Sequence, residues 1–306
     1  MLENLFNKRL VLISGKGGVG KTSVCVLLAL LAAKLKKNTL IVEMNSTGNI
    51  TPIFNTSVSS QKEIPIAPYI SSINLSPQVC FEEYVLKHIR LKTIYKTFFN
   101  NKFVSNFLNA VPGLNEILML GKIYELEKLQ KKTLKSEPAY DLIIIDAPAT
   151  GHNLSALEVP NILKSAIKIG PLHHHAASIL DLLGNHDKTI FSLVTLAEEM
   201  PVNESFEYVA TLKEKTNLNF GPLFINSVMP EIVAVKKNKN TPENLIDCWN
   251  YYQLTYKRSL LNQYYIDDIH NKFPNLEKIT LPFQFKDLDN VKDFSNLLSS
   301  LKEQLH

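Results

Sequence analysis

An α/β architecture, a doubly wound and mainly parallel sheet, follows from three features of this sequence. Short apolar runs alternate with longer stretches of helical periodicity along the chain. Several of those runs are continuous rather than alternating, as in LVLIS, TLIVEM and LIIID, which is how a strand reads when helices cover both faces of its sheet. The first run leads into a glycine-rich segment and then an apolar helix, the order of a strand, a phosphate-binding loop and the helix whose N-terminus faces the anion.

Taken in order, strands are expected at residues 9–14, 39–44, 73–75, 141–145, 189–195, 221–226 and 278–281. Residues 55–76 are rich in Ser and Pro and read as an irregular excursion. A helix over residues 22–35 follows the glycine segment. Residues 77–135 and 153–187 lack strand signals and read as a helical subdomain inserted above the carboxyl ends of the strands, where ligands of such sheets bind. A third helical block, 242–272, carries Trp249 and the pairs Tyr251-Tyr252 and Tyr264-Tyr265, a spacing that suits helix packing better than a recognition surface. No repeat or long linker divides the chain, so residues 1–306 read as a single domain.

Composition excludes several classes. With 45% apolar and 20% charged residues the chain fills a real core and is not disordered. Its 33 basic and 29 acidic residues leave a net charge of +4, too mild to imply a nucleic acid partner. The basic clusters at 34–37, 128–135 and 236–239 read as solvated helix ends and loops. Cys25, Cys80 and Cys248 are scattered without metal-ligand spacing, which suggests a reduced, cytoplasmic setting. No stretch reaches 18 consecutive apolar residues and no apolar core precedes the first charges, so neither stable membrane insertion nor an export signal is expected. Glycine is scarce, at 11 residues, yet four of them fall within residues 15–20.

Those four carry the chemistry. Gly15-Lys-Gly-Gly-Val-Gly-Lys-Thr22 fits G-x-x-x-x-G-K-[ST], the loop of a P-loop NTPase. Gly15, Gly17, Gly18 and Gly20 let backbone N–H groups converge on phosphate oxygens, with Lys16, Val19 and Ser23 in the same contact set. Lys21 reaches the β- and γ-phosphates and the Thr22 hydroxyl holds Mg²⁺. A plain glycine turn between strand and helix explains one or two of these glycines but not four with Lys-Thr. Asp146 ends the run LIIID, placed to bind the Mg²⁺ shell; a strand-end Asp also caps following segments, a reading the phosphate loop makes the weaker one.

With its second lysine, Lys16, the loop GKGGVGKT resembles the deviant Walker A motif of nucleotide-dimerising ATPases, the class of MinD, ParA, the nitrogenase iron protein, and the ArsA arsenite-pump and tail-anchored-protein-targeting ATPases. That resemblance implies Mg-ATP binding and a dimer, of identical or paralogous subunits, in which Lys16 crosses to the partner's nucleotide. Asp146-Ala-Pro-Ala-Thr-Gly-His152 is similar to switch II of the ArsA and targeting branch, not to the shorter Asp-Pro-Pro loop of ParA and MinD. Local likenesses at residues 74–78 and 112–116 agree. By the same resemblance Gly151 gives that switch its hinge and His152 reports the nucleotide state. Asn226 matches the family asparagine that reads the adenine edge, although a strand-end Asn is ordinarily a turn former; Pro282 and Phe283 fall where the family covers the base.

The chain also departs from the pattern. Where the targeting and arsenite branch carries Asp-Pro-Ala-His, this chain reads Glu43-Met-Asn-Ser-Thr-Gly-Asn49, with Asn45 in place of the Asp that handles the attacking water and Gly48 in the same first switch. An amide orients water by hydrogen bonding but takes no proton, so slow hydrolysis is expected, with Glu43 as a substitute if the loop rearranges. An ATP-gated scaffold with almost no hydrolysis is the alternative. Three scattered cysteines do not suit an arsenite site, and the zinc-binding CxxC of eukaryotic targeting dimers is absent. The targeting branch cradles its clients in a Met-rich groove; here only Met119 falls in the first insert. Phe98, Phe99, Phe103, Phe107, Leu108, Ile117 and Leu118 suit either a hydrophobic client groove or ordinary core. His173-His-His175 reads as a solvated or interface segment, because adjacent residues of a helix point in different directions.

Overall fold

A computed structural model of the chain describes residues 2–44, 48–57, 62–88, 108, 113–131, 137–149, 171–236 and 245–304. In chain order the elements are α1 (Leu2–Phe6), β1 (Leu10–Gly15), α2 (Lys21–Lys34), β2 (Thr39–Glu43), α3 (Ile50–Ile53), β3 (Ile64–Ala67), β4 (Ile70–Asn74), α4 (Pro77–His88) and α5 (Leu114–Glu127). They continue with β5 (Leu142–Asp146), α6 (Pro171–Leu183), β6 (Thr189–Leu196), α7 (Glu199–Lys215), β7 (Phe220–Val228), α8 (Ile246–Lys272), β8 (Lys278–Pro282), a 3₁₀ turn (Val291–Phe294) and α9 (Ser295–Glu303).

The eight strands form one sheet in the order β3-β4-β2-β5-β1-β6-β7-β8. Every neighbouring pair is parallel except β3 with β4. All seven expected strands are present. β3 corrects the reading of residues 55–76 as irregular: Ile64–Ala67 pairs antiparallel to β4 at the sheet edge, with a register shift between Pro65 and Ala67. An edge position tolerates Pro65, which lacks the N–H a central strand needs, and Pro65 within the strand with Pro68 just after it hides four residues from a pattern search.

The continuous apolar runs are explained by the two faces. Leu10 and Leu12 of β1, Leu40 and Val42 of β2, Ile143 and Ile145 of β5, and Phe191 and Leu193 of β6 belong to one core. Their neighbours Val11 and Ile13, Ile41, Leu142 and Ile144, and Ile190 and Val194 belong to the core on the opposite face. With period two and both faces covered, every position is apolar. Helix α2 buries Val24 through Ala29 together with Leu31 and Ala32. It is apolar almost all round because the sheet, α1 and α9 enclose it.

The described parts of the two inserts are helical at α4, α5 and α6, and α5 packs between the other two. In the first insert the helix stops at Glu127, since Gln130 pairs in an antiparallel bridge with Pro138. Ile117, Leu118 and Leu120 of α5 and Ile179 and Leu182 of α6 join the core of the first sheet face. For Leu108, Ile117 and Leu118 core packing is therefore the answer, whereas Phe98, Phe99, Phe103 and Phe107 lie outside the described residues. His175 packs between the rings of Tyr84 and Tyr124, against Gly121, where a Cβ would lie 2.3 Å from its Nε2. In α8, Trp249, Tyr252 and Tyr256 form a ladder of rings along the helix, and the Tyr252 hydroxyl donates to the Val233 carbonyl. Among the described residues no helix is long and apolar enough to cross a membrane.

Candidate functional site

The phosphate loop runs from the end of β1 to the start of α2, at the centre of the sheet between β5 and β6. Gly15 closes the strand so tightly that a Cβ there would lie 2.3 Å from the Val194 carbonyl oxygen of β6. At the other end of the loop Gly20 is the left-handed N-cap of α2, with φ 94°. Lys21, the first helical residue, folds back on the loop, its Nζ donating to the carbonyls of Gly15 at 3.1 Å and Lys16 at 3.0 Å. Burial lowers the pKa of this ammonium against the opposing pull of Asp146.

One acidic side chain, Asp146 of β5, meets the start of α2 directly, and a second, Glu43 of β2, ends the next strand beside it. In the parallel register Ile13 of β1 and Glu43 of β2 both pair with Asp146 of β5, so the two carboxylates end their strands side by side. The Thr22 hydroxyl donates to Asp146 Oδ2 at 2.6 Å, and burial raises the Asp146 pKa. Glu43 is fully buried, and its Oε1 accepts from the N–H groups of Asn49 at 2.7 Å and Ile50 at 3.2 Å, which ties the end of β2 to the start of α3. Burial pushes its pKa up to about 7. Asp146 Oδ1 and Glu43 Oε2 have no hydrogen-bond partner among the described residues. A buried, unpartnered oxygen of Asp146 beside the Thr22 hydroxyl, with a second on the adjacent Glu43, fits a small hard cation, which takes oxygen ligands and keeps several waters.

The remaining predicted residues sort as follows. Val19 is buried within the loop, Gly17 and Gly18 are exposed at its turn, and Ser23 sits half-buried in the first turn of α2. Lys16 Nζ lies 2.6 Å from Glu204 Oε1 of α7. Asn226 of β7 faces the loop from behind, its Nδ2 donating to the Val19 carbonyl at 2.9 Å. Pro282 pairs with Val228 at the end of β8, and the Arg258 guanidinium of α8 stacks over the Phe283 ring at 4.9 Å. A cleft of about 550 Å³ opens beside this end of the sheet, lined in part by Val228, Met229, Ile232 and Leu260. Gly48 is buried, with φ 67°. Asn45, Gly151 and His152 lie outside the described residues.

Three residues near the site had no sequence signal. Glu204 is brought to Lys16 across 188 positions. Arg258 reaches both Phe283 and Glu198 from the middle of α8. Asn262, 2% exposed, accepts from the Met229 N–H and donates to the Ala197 carbonyl, both at 2.9 Å, so it links the segments that leave β6 and β7.

A doubly wound sheet whose first strand feeds GKGGVGKT into a helix, with strand-end carboxylates facing the helix's first turn, is the architecture of a P-loop NTPase. The profile of the family described as Anion-transporting ATPase matches residues 8–178 and 172–303, and the chain belongs to that family. It is 30% identical to ATPase BagA of Mycobacterium tuberculosis, over 80% of this chain and 72% of that protein. It is 24% identical to the ATPase ASNA1 homolog 1 of Paramecium tetraurelia, over 94% of this chain and 91% of the relative. A protein of Aquifex aeolicus provisionally named arsenical pump-driving ATPase 2 is 23% identical, over 95% and 99%.

Proposed function

We propose that this chain is a cytoplasmic, Mg-ATP-dependent switch ATPase that works as a dimer and hydrolyses slowly. The observation that carries the reading is the convergence of Lys21, Thr22 and Asp146 on one loop, with Glu43 beside Asp146 and a buried oxygen of each carboxylate unpartnered among the described residues. Lys21 leaves the Gly15 and Lys16 carbonyls for the β- and γ-phosphates, and the loop N–H groups from Gly15 to Ser23 hold the phosphate oxygens. Thr22 and Asp146 would hold Mg²⁺, which would supply neutralisation of the phosphate charge. A base site at the ends of β7 and β8, bounded by Asn226, Pro282 and Phe283, is supported by the pairing of Pro282 with Val228, which also lines the neighbouring cleft. Asn226 directs Nδ2 to the loop, so its Oδ1 is the atom left to meet the adenine amino group.

Glu43 and Gly48 bracket the first switch, with Asn45 between them; Gly151 and His152 belong to the second. Asn45 orients the attacking water without taking its proton, which makes turnover slow. Lys16 reaches the nucleotide of a second subunit, identical or paralogous, and the nucleotide state is relayed to helices that hold a hydrophobic protein client or a partner. A single-turnover ATPase assay tests the reading: Lys21→Ala abolishes hydrolysis and Asn45→Asp raises it. A wild-type chain that binds ATP but shows no phosphate release above the Lys21→Ala background, with Asn45→Asp equally silent, points instead to a non-catalytic ATP-gated scaffold, the reading that Asn45 itself favours as second.

A further inference from the structure

Lys16 does not point into solvent. Its ammonium is 2.6 Å from Glu204 Oε1, on the second turn of α7, with the lysine side chain 30% exposed and the glutamate 38%. The arrangement is held from both ends. The Lys16 carbonyl accepts from Lys21 Nζ, and Gly15 pairs with Val194 of β6, the strand that leads into α7. Loop and helix are thus parts of one frame, and the carboxylate is carried to the lysine by the fold rather than by local sequence. A lysine side chain is a flexible, strongly hydrated point charge and takes a direction only from a partner. Met200, one turn before Glu204 on the same helix face, is 63% exposed.

We propose that Glu204 is the resting partner of Lys16, holding it against its own subunit, and that a second copy of this chain displaces Glu204 when two nucleotide-loaded subunits meet. This rests on the reading of Lys16 as a cation supplied across a dimer. Paired at 2.6 Å with a carboxylate, Lys16 has its charge neutralised locally and lends none to a phosphate. An exposed ion pair is weak, whereas a triphosphate presents several charges to the same ammonium, so the exchange runs toward the nucleotide only when a loaded partner is in place. Glu204 thereby opposes premature pairing and sets how much protein is needed to assemble. It is a gating residue and takes no part in the chemistry.

The test is sedimentation of the full-length protein over a range of concentrations with Mg²⁺ and a non-hydrolysable ATP analogue, for wild type, Glu204→Gln, Lys16→Ala and the double variant. Glu204→Gln is expected to lower the half-assembly concentration by roughly 2- to 30-fold, the range for removing one exposed ion pair from each of two subunits. Lys16→Ala is expected to weaken assembly, and adding Glu204→Gln to it to change nothing further. Wild type that assembles while Glu204→Gln assembles equally or less well overturns the proposal and leaves the dimer reading standing, as does a Glu204→Gln effect that persists without Lys16. Wild type that stays monomeric at every concentration overturns the dimer reading and this proposal with it. Because both side chains are at the surface, matching melting transitions confirm that each variant is folded.

Discussion

The Asn226 side chain occupies the space a Cβ on Gly20 would need: that atom would lie 2.1 Å from Asn226 Nδ2. The same amide holds the Val19 carbonyl, so the base of the phosphate loop is clasped from β7 while Gly20 turns the chain into α2 in the left-handed region. Two independent constraints, space and φ, meet at one residue. Gly20→Ala is therefore expected to be destabilising by about 1–3 kcal/mol from backbone conformation alone, with the collision added. Asn226→Ala relieves the collision and not the φ, so the double variant should recover part of the lost thermal stability. Full recovery would show that the backbone conformation costs nothing.

Asp146 makes a different kind of prediction. Its Oδ2 accepts from Thr22 while its Oδ1 is buried without a partner among the described residues, a state that favours a cation over an empty site. Asp146→Asn keeps an acceptor for Thr22 and removes the charge. In EDTA the variant should bind nucleotide about as well as wild type. The gain in affinity that Mg²⁺ gives the wild type should fall by about 10- to 100-fold, the usual cost of losing an outer ligand. A fluorescent-nucleotide titration with and without Mg²⁺ reads both arms, and an equal loss in EDTA would place Asp146 in loop structure rather than metal binding.

Glu43 predicts the pH dependence of the nucleotide-free protein. Burial raises its pKa from 4.5 to about 7, so between those values the folded state holds a proton that the unfolded chain has released. Stability therefore falls as pH rises through this window, by up to about 3 kcal/mol, and the raised pKa of Asp146 acts in the same direction. Glu43→Gln retains an acceptor for the N–H groups of Asn49 and Ile50 and has nothing to titrate. Urea midpoints at pH 5 and pH 7.5 should separate the two proteins: wild type loses more stability than the variant on going up in pH. Equal slopes would mean that Glu43 is ionised in the folded state throughout.

How much of this was readable beforehand depends on range. The strands announced themselves because burial on both faces leaves no polar alternation, and the loop because four glycines with Lys-Thr serve no simpler purpose. β3 escaped because Pro65 and Pro68 interrupt its pattern and an edge strand of four residues needs few apolar positions. Lys21, Thr22 and Asp146 were legible since each sits at a strand or helix end set by its motif. Glu204 and Asn262 were not, because their partners lie on other elements and a hydrogen bond across 188 residues leaves no periodic trace. Asn226 was half legible: its position at the end of a core strand was clear, but its contact with the Val19 carbonyl depends on the loop's shape.

Asn262 carries the last prediction. It is one helical turn from Ser259, whose hydroxyl donates to the Pro230 carbonyl, and nearly three turns beyond Tyr252, whose hydroxyl donates to Val233 and accepts from the Val235 N–H. These three side chains strap the segment after β7 to α8, and only Asn262 also reaches back to Ala197, at the exit of β6. Replacing it with alanine strands a buried N–H and a buried C=O, each costing about 1–3 kcal/mol when unpaired. Asn262→Ala should thus lower stability by about 2–6 kcal/mol with an unchanged denaturant slope, more than Ser259→Ala, which frees one carbonyl. Because Ala197 precedes the helix that carries Glu204, and Met229 follows the strand that carries Asn226, the damage should extend to the loop. Nucleotide affinity measured at temperatures where Asn262→Ala remains folded should fall, whereas Ser259→Ala should leave it near the wild-type value. An Asn262→Ala protein that loses stability and keeps full affinity would confine the residue to packing and uncouple the exits of β6 and β7 from the phosphate loop.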